Sequence, residues 1–120
     1  MTLSELVDET NDEQSVASYV QDLRKALRTN FYRQYPSSDR SFDFRAIEGR
    51  KFIKLVQTEE GRDSSVHAFI DKKTGEVYKP ASWKSPAKHV RYNLLDERSR
   101  VDCLHSADWA GGYLYMYPHG

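Results

Sequence analysis

One cysteine, Cys103, stands in the 120 residues, so no internal disulfide can form. No apolar run approaches the roughly 20 residues that a membrane-spanning helix needs. Met1–Glu13 contains no basic residue and no long apolar stretch, and therefore lacks the makings of a secretory signal. These absences predict a chain that stays in a reducing cytoplasm and takes no membrane as partner. Net charge is missing as well. Eighteen basic and eighteen acidic residues cancel, which removes the whole-molecule field that draws strongly basic proteins to nucleic acid or lipid. Electrostatic recognition must then be local.

Signatures of familiar chemistry are equally scarce. The sequence has no G-x-S-x-G elbow, no H-E-x-x-H, no phosphate-binding P-loop and no G-x-G-x-x-G. Cys103-Leu104-His105, with Asp102, Asp108 and His119 nearby, offers metal-ligand types but not the paired spacing that puts two donors on one ion. Adjacent acids such as Glu59/Glu60 and Asp96/Glu97 point apart on a strand or helix, so they do not form a carboxylate pair across one substrate bond. No cofactor and no catalytic residue is expected. An unrecognised nuclease or hydrolase built from scattered residues is the remaining enzymatic reading.

What is present is a clear change of periodicity along the chain. Val16, Tyr19, Val20, Leu23, Leu27 and Phe31 recur at helical spacing, with Gln21, Asp22, Arg24, Lys25 and Arg28 on the other side. Asn11 has the chemistry of an N-cap, and Pro36 ends the helix near Gln34. Residues 1–10 then form either a flexible acidic start or a short turn through Leu3, Leu6 and Val7. Strand-like stretches follow at Phe42–Ala46, Lys51–Gln57, Ser65–Ile70 and Glu76–Lys79, joined by a turn at Glu48-Gly49-Arg50, a polar loop over Thr58–Ser64 and a glycine turn at Asp71–Gly75. Ser85-Pro86 reads as the start of a short helix over Ala87–Leu95, and Gly112–Tyr117 as a final strand. The expected fold is α+β in one domain over 1–120: a long N-terminal helix packed on an antiparallel β-meander of about four strands, with a short helix and a further strand in an irregular C-terminal third.

Charge is distributed unevenly over this frame. Met1–Glu13 holds five acids and no base, whereas Lys72–Arg91 holds six bases against Glu76 alone. Within the basic segment, Lys79, Lys84, Lys88 and Arg91 can neutralise phosphates while Trp83, Tyr78 or Tyr92 can stack on unpaired bases. Ser85 at a helix start would add backbone N–H groups for an anion. The competing reading makes Trp83 a plug over the end of the sheet, with lysines lying around it. Tyr113, Tyr115 and Tyr117 on one strand face form a candidate surface for a protein partner, unless that face lies under the helix.

The stretch Ser65–Lys88, with its strand, Asp, glycine turn, strand and the block Lys79-Pro80-Ala81-Ser82-Trp83-Lys84-Ser85-Pro86-Ala87-Lys88, resembles small uncharacterised proteins of tailed bacteriophages. They share a K-x-A-x-W-K-x-P-A-K block followed by Arg and Asn, here Arg91 and Asn93. The resemblance implies a phage accessory protein working in the cytoplasm of an infected bacterium or in the virion. It carries no activity with it. Residues and resemblance together give the expectation of a non-enzymatic module that binds nucleic acid. A protein-interaction role, as inhibitor of a host or defence factor or as a virion component, stands as the alternative.

Overall fold

The computed structural model describes residues 3–115, with side chains from Glu13 onward. Helix α1 spans Leu3–Gln34. Asn11 does not cap it, contrary to expectation. The chain holds no Gly or Pro before Pro36, and an interior Asn costs less than about 1 kcal/mol, so nothing stops the helix from running through. At the other end Tyr35 N–H still donates to Phe31 O at 2.9 Å before Pro36 blocks continuation.

Among the described residues five strands follow, each antiparallel to the next in sequence order: β1 Phe42–Glu48, β2 Phe52–Glu59, β3 Arg62–Asp71, β4 Glu76–Tyr78 and β5 Tyr92–Asn93. The loop expected over Thr58–Ser64 is instead a two-residue turn at Glu60-Gly61, with strand pairing up to Glu59 and Arg62. Both turn residues have positive φ, 52° and 76°, which matches the twist of the flanking strands. Pairing of Leu55 with Ala68 and of Val56 with Val66 leaves His67 as an extra residue in β3. This bulge sets the imidazole edge-on to Phe44 at 5.1 Å.

The register sorts the side chains onto two faces. Phe42, Phe44, Ile53, Leu55, Ala68, Ile70 and Val77 meet Val16, Val20, Leu23, Leu27 and Phe31 of α1 in the main hydrophobic cluster. Phe31 stacks on Phe42 at 3.8 Å. Arg24 fastens the two layers, donating from Nε to Phe44 O at 2.6 Å and pairing with Asp43 at 2.8 Å. The opposite face carries Phe52, Lys54, Val56, Phe69 and Tyr78. Of these, Val56 and Phe69 are buried without belonging to the main cluster.

The C-terminal third departs most from expectation. Ala87–Leu95 forms no helix, because its N–H groups are taken by other strands and turns: Ala87 donates to Lys79 O, Arg91 to Val77 O and Leu94 to Gly75 O. Helix α2 begins later, at Glu97–Ser106, with Asp96 accepting from Arg98 N–H as its N-cap. The arginine Arg100 joins α2 to α1 by lying 4.0 Å over the Tyr19 ring. Gly112–Leu114 is a single 3₁₀ turn, not a strand, entered through Gly111 at φ 87°. Met116 and Tyr117 lie outside the described residues.

Gly75 shows what these close approaches require. It has φ 76°, and a Cβ there would sit 3.0 Å from both Leu95 N and Leu95 Cγ. Gly61 shares the same φ, but nothing lies within 4 Å of its missing Cβ. Gly61→Ala is therefore expected to cost about 1 kcal/mol from backbone strain alone. Gly75→Ala adds overpacking and is expected to cost about 2 kcal/mol. Urea midpoints of the two variants check the difference; equal losses would contradict it.

Candidate nucleic-acid interface

The segment from Lys79 to Ala87 folds into a tight loop on the sheet. Pro80 and Pro86 form an isolated β-bridge, and Ala81 and Ser82 N–H both donate to Ser85 O. Ser82 Oγ accepts from Lys84 N–H and Ser85 N–H at 3.1 and 3.2 Å. Ser85 N–H is thus used inside the loop and starts no helix, so the anion-binding role expected of it is not available. The same bonds hold the residue between them, Trp83, at the tip.

Trp83 is 47% exposed. The Lys54 ammonium lies 5.9 Å from its ring and 5.7 Å from that of Phe69. Phe69 meets Phe52 edge-on at 5.8 Å, and Phe52 meets Tyr78 in the same way at 6.0 Å. Lys51 places its ammonium 5.3 Å from the Phe52 ring. On the face turned away from α1, aromatic rings therefore meet one another, and the ammonium groups of Lys51 and Lys54 lie over them. The plug role weighed for Trp83 belongs to the other tryptophan. Trp109 packs against Phe31 and Phe42, and its Nε1–H donates to Gln34 Oε1 at 3.1 Å.

The residues expected to act together divide into three groups. Tyr78 and Trp83 belong to the aromatic face; Lys84, next to Trp83 in the loop, and Lys88, just after the loop, are exposed. Among the described residues, neither lysine joins an ion pair; the pairs formed involve Arg24, Arg28, Arg40, Arg45 and Lys72. Lys79 turns away, its ammonium 4.7 Å over the Tyr115 ring. Arg91 serves the fold: its guanidinium donates to the backbone carbonyls of Leu114, Lys88 and His89, pinning the loop to the 3₁₀ turn. Nor do Tyr113 and Tyr115 share one strand face. Tyr113 packs against the core with its hydroxyl 2.8 Å from His67 Nε2, Tyr115 is 57% exposed, and Tyr117 is outside the described residues.

Phe52, Lys51 and Lys54 are the members of this face that sequence reading did not single out. Their signal was available in strand parity, since Phe52 and Lys54 alternate with Ile53 and Leu55 and must point to the opposite side.

Elsewhere the chemistry is quiet. Cys103 is buried, and burial pushes its thiol up to about 12, the opposite of what a nucleophile requires. Among the described residues, no group of three or more His, Cys, Asp and Glu side chains is placed to hold a metal ion. No helix among them is long and apolar enough to cross a membrane.

Fold and surface define a small α+β domain that displays an aromatic, lysine-rich sheet face away from its long helix. The chain belongs to a family of unknown function, DUF7717, whose model matches residues 4–116. No curated protein and no solved structure matches it.

Proposed function

We propose that the protein is a non-enzymatic binding module for single-stranded nucleic acid. The observation that carries this reading is the placement of Trp83, half exposed at the tip of a hydrogen-bonded loop and in contact with Lys54 of the sheet. Unpaired bases stack on such rings without regard to sequence, and neighbouring ammonium groups follow the phosphates. Lys51, Lys54, Lys84 and Lys88 supply the charge; Trp83, Tyr78 and Phe52 supply the stacking surface. A chain with no net charge suits this arrangement, because attraction then comes only from the face itself. The likeness of Ser65–Lys88 to small tailed-phage proteins favours an accessory role in an infected bacterium or in the virion.

Binding is expected to weaken steeply with salt, each neutralised phosphate contributing about 0.7 to the slope of log K against log salt for a single strand. Lys84→Ala with Lys88→Ala should lower that slope by about 1.4. Fluorescence anisotropy of a labelled single strand across a salt series measures it. An unchanged slope would remove the lysines from the interface, and capture of a protein that survives nuclease treatment would favour the protein-interaction reading.

A further inference from the structure

A cleft of about 290 Å³ opens beside the exposed half of β3, between Pro80 at the root of the Trp loop and the Trp109–Tyr115 segment. It exists because β4 pairs only with Phe69 and Ile70, leaving the earlier part of β3 without a strand neighbour on that side. The volume is at the lower end for small-molecule sites.

His67 enters this cleft from the bulge, only 6% exposed. Its Nε2 lies 2.8 Å from Tyr113 Oη. Burial holds the Tyr113 phenol well above its ordinary pKa, so the hydroxyl keeps its proton. Among the described residues that proton has one acceptor within reach, Nε2, and Tyr113 is therefore the donor. The neutral imidazole must then carry its own proton on Nδ1. No described residue bonds Nδ1, yet among the described residues no fully buried polar side-chain atom lacks a partner. Nδ1 thus opens onto the cleft, where Gly111 keeps the approach clear; even a Cβ on Gly111 would remain 3.9 Å away.

The rest of the lining agrees in sign. Among the described residues, Gln57 and Ser65 add neutral hydrogen-bonding groups and Lys79 is the charged member of the lining; the Asp108 carboxylate near His67 is not part of that lining and accepts instead from Gly112 and Tyr113 N–H. Leu114 and the Tyr115 ring supply apolar wall. We infer that this cleft binds a small organic anion, a carboxylate or phosphate monoester with an apolar body, whose oxygens meet His67 Nδ1–H and the Lys79 ammonium. The inference does not depend on nucleic-acid binding, since its residues are separate from Trp83, Lys84 and Lys88.

Benzoate and phenyl phosphate are the probes, titrated into the full chain and followed by nuclear magnetic resonance of the His67 imidazole and the Gly111 amide. The expected result is an Nδ1–H imidazole in the free protein and a saturable shift with at least one probe. Losing a charged hydrogen-bond donor should weaken that binding at least about tenfold in Lys79→Met, whereas Lys84→Ala with Lys88→Ala leaves it intact. Preference for benzoate assigns a carboxylate ligand, and preference for phenyl phosphate a phosphate monoester. An imidazole protonated on Nε2, no saturable shift with either probe, or undiminished binding by Lys79→Met overturns the inference.

Discussion

Between pH 6.5 and pH 4 the folded chain is expected to lose about 3 kcal/mol of stability through one residue, His67. Burial lowers its pKa from 6.5 to about 4, and the nearby Asp108 carboxylate offsets only part of that effect. The ring is enclosed by Phe44 and Tyr113, neither of which offers a negative charge. The unfolded chain takes up a proton near pH 6.5 that the folded chain refuses until about pH 4. Stability from keeping the ring neutral is therefore complete above pH 6.5 and falls by about 1.4 kcal/mol per pH unit down to pH 4. Asp63, held below its ordinary carboxylate value chiefly by its hydrogen bond to Arg45, loses its contribution only at and below pH 3.8, outside this window. Urea unfolding at half-unit pH steps, compared with His67→Gln, isolates the effect. The variant should lack this component of the decline; parallel curves for the two proteins would contradict it.

Trp83→Ala is expected to weaken single-strand binding by about 1–3 kcal/mol, the range for losing one base stacked on an aromatic ring, or roughly 5- to 150-fold in affinity. The salt slope should stay as it is, because no charge has been removed. This separates the indole from Lys84 and Lys88, whose replacement changes the slope. Thermal stability should change little, since Trp83 is half exposed and outside the main cluster. A variant that binds as tightly as the parent at every salt concentration would show that Trp83 does not stack on bases.

Much of the fold was legible where local pattern and tertiary role coincide. The stripe from Val16 to Phe31 faces the sheet as its spacing demands, and Phe42, Phe44, Leu55 and Ile70 lie where strand alternation places them. Legibility failed where the backbone's partner is distant in sequence. Ser85-Pro86 has the local form of a helix start, but pairing of Tyr92 and Asn93 with β4 fixes that stretch as extended. The cap that does operate, Asp96 before Glu97, carries the same class of signal eleven positions later. Alternation over Gly112–Tyr117 suggested a strand, yet the left-handed Gly111 and the Asp108 carboxylate, which accepts from Gly112 and Tyr113 N–H, wind the chain into a turn.

The candidate site was half readable for the same reason. Trp83 and Tyr78 are close in sequence and lie on one face, whereas Lys51, Lys54 and Phe52 join them only through pairing of β2 with β3. Arg91 and Lys79 look like their basic neighbours in sequence. Carbonyl bonds and the Tyr115 ring, which only the fold brings near, give them other work.

Tryptophan fluorescence of Trp109→Phe, in which Trp83 is the remaining indole, tests the proposed interface most directly. Titration with a short homopolymeric single strand at low salt should quench the Trp83 emission in a saturable way and reverse as salt is raised. Emission that does not respond to the strand at any salt concentration would contradict an indole that meets bases beside a lysine-bearing sheet.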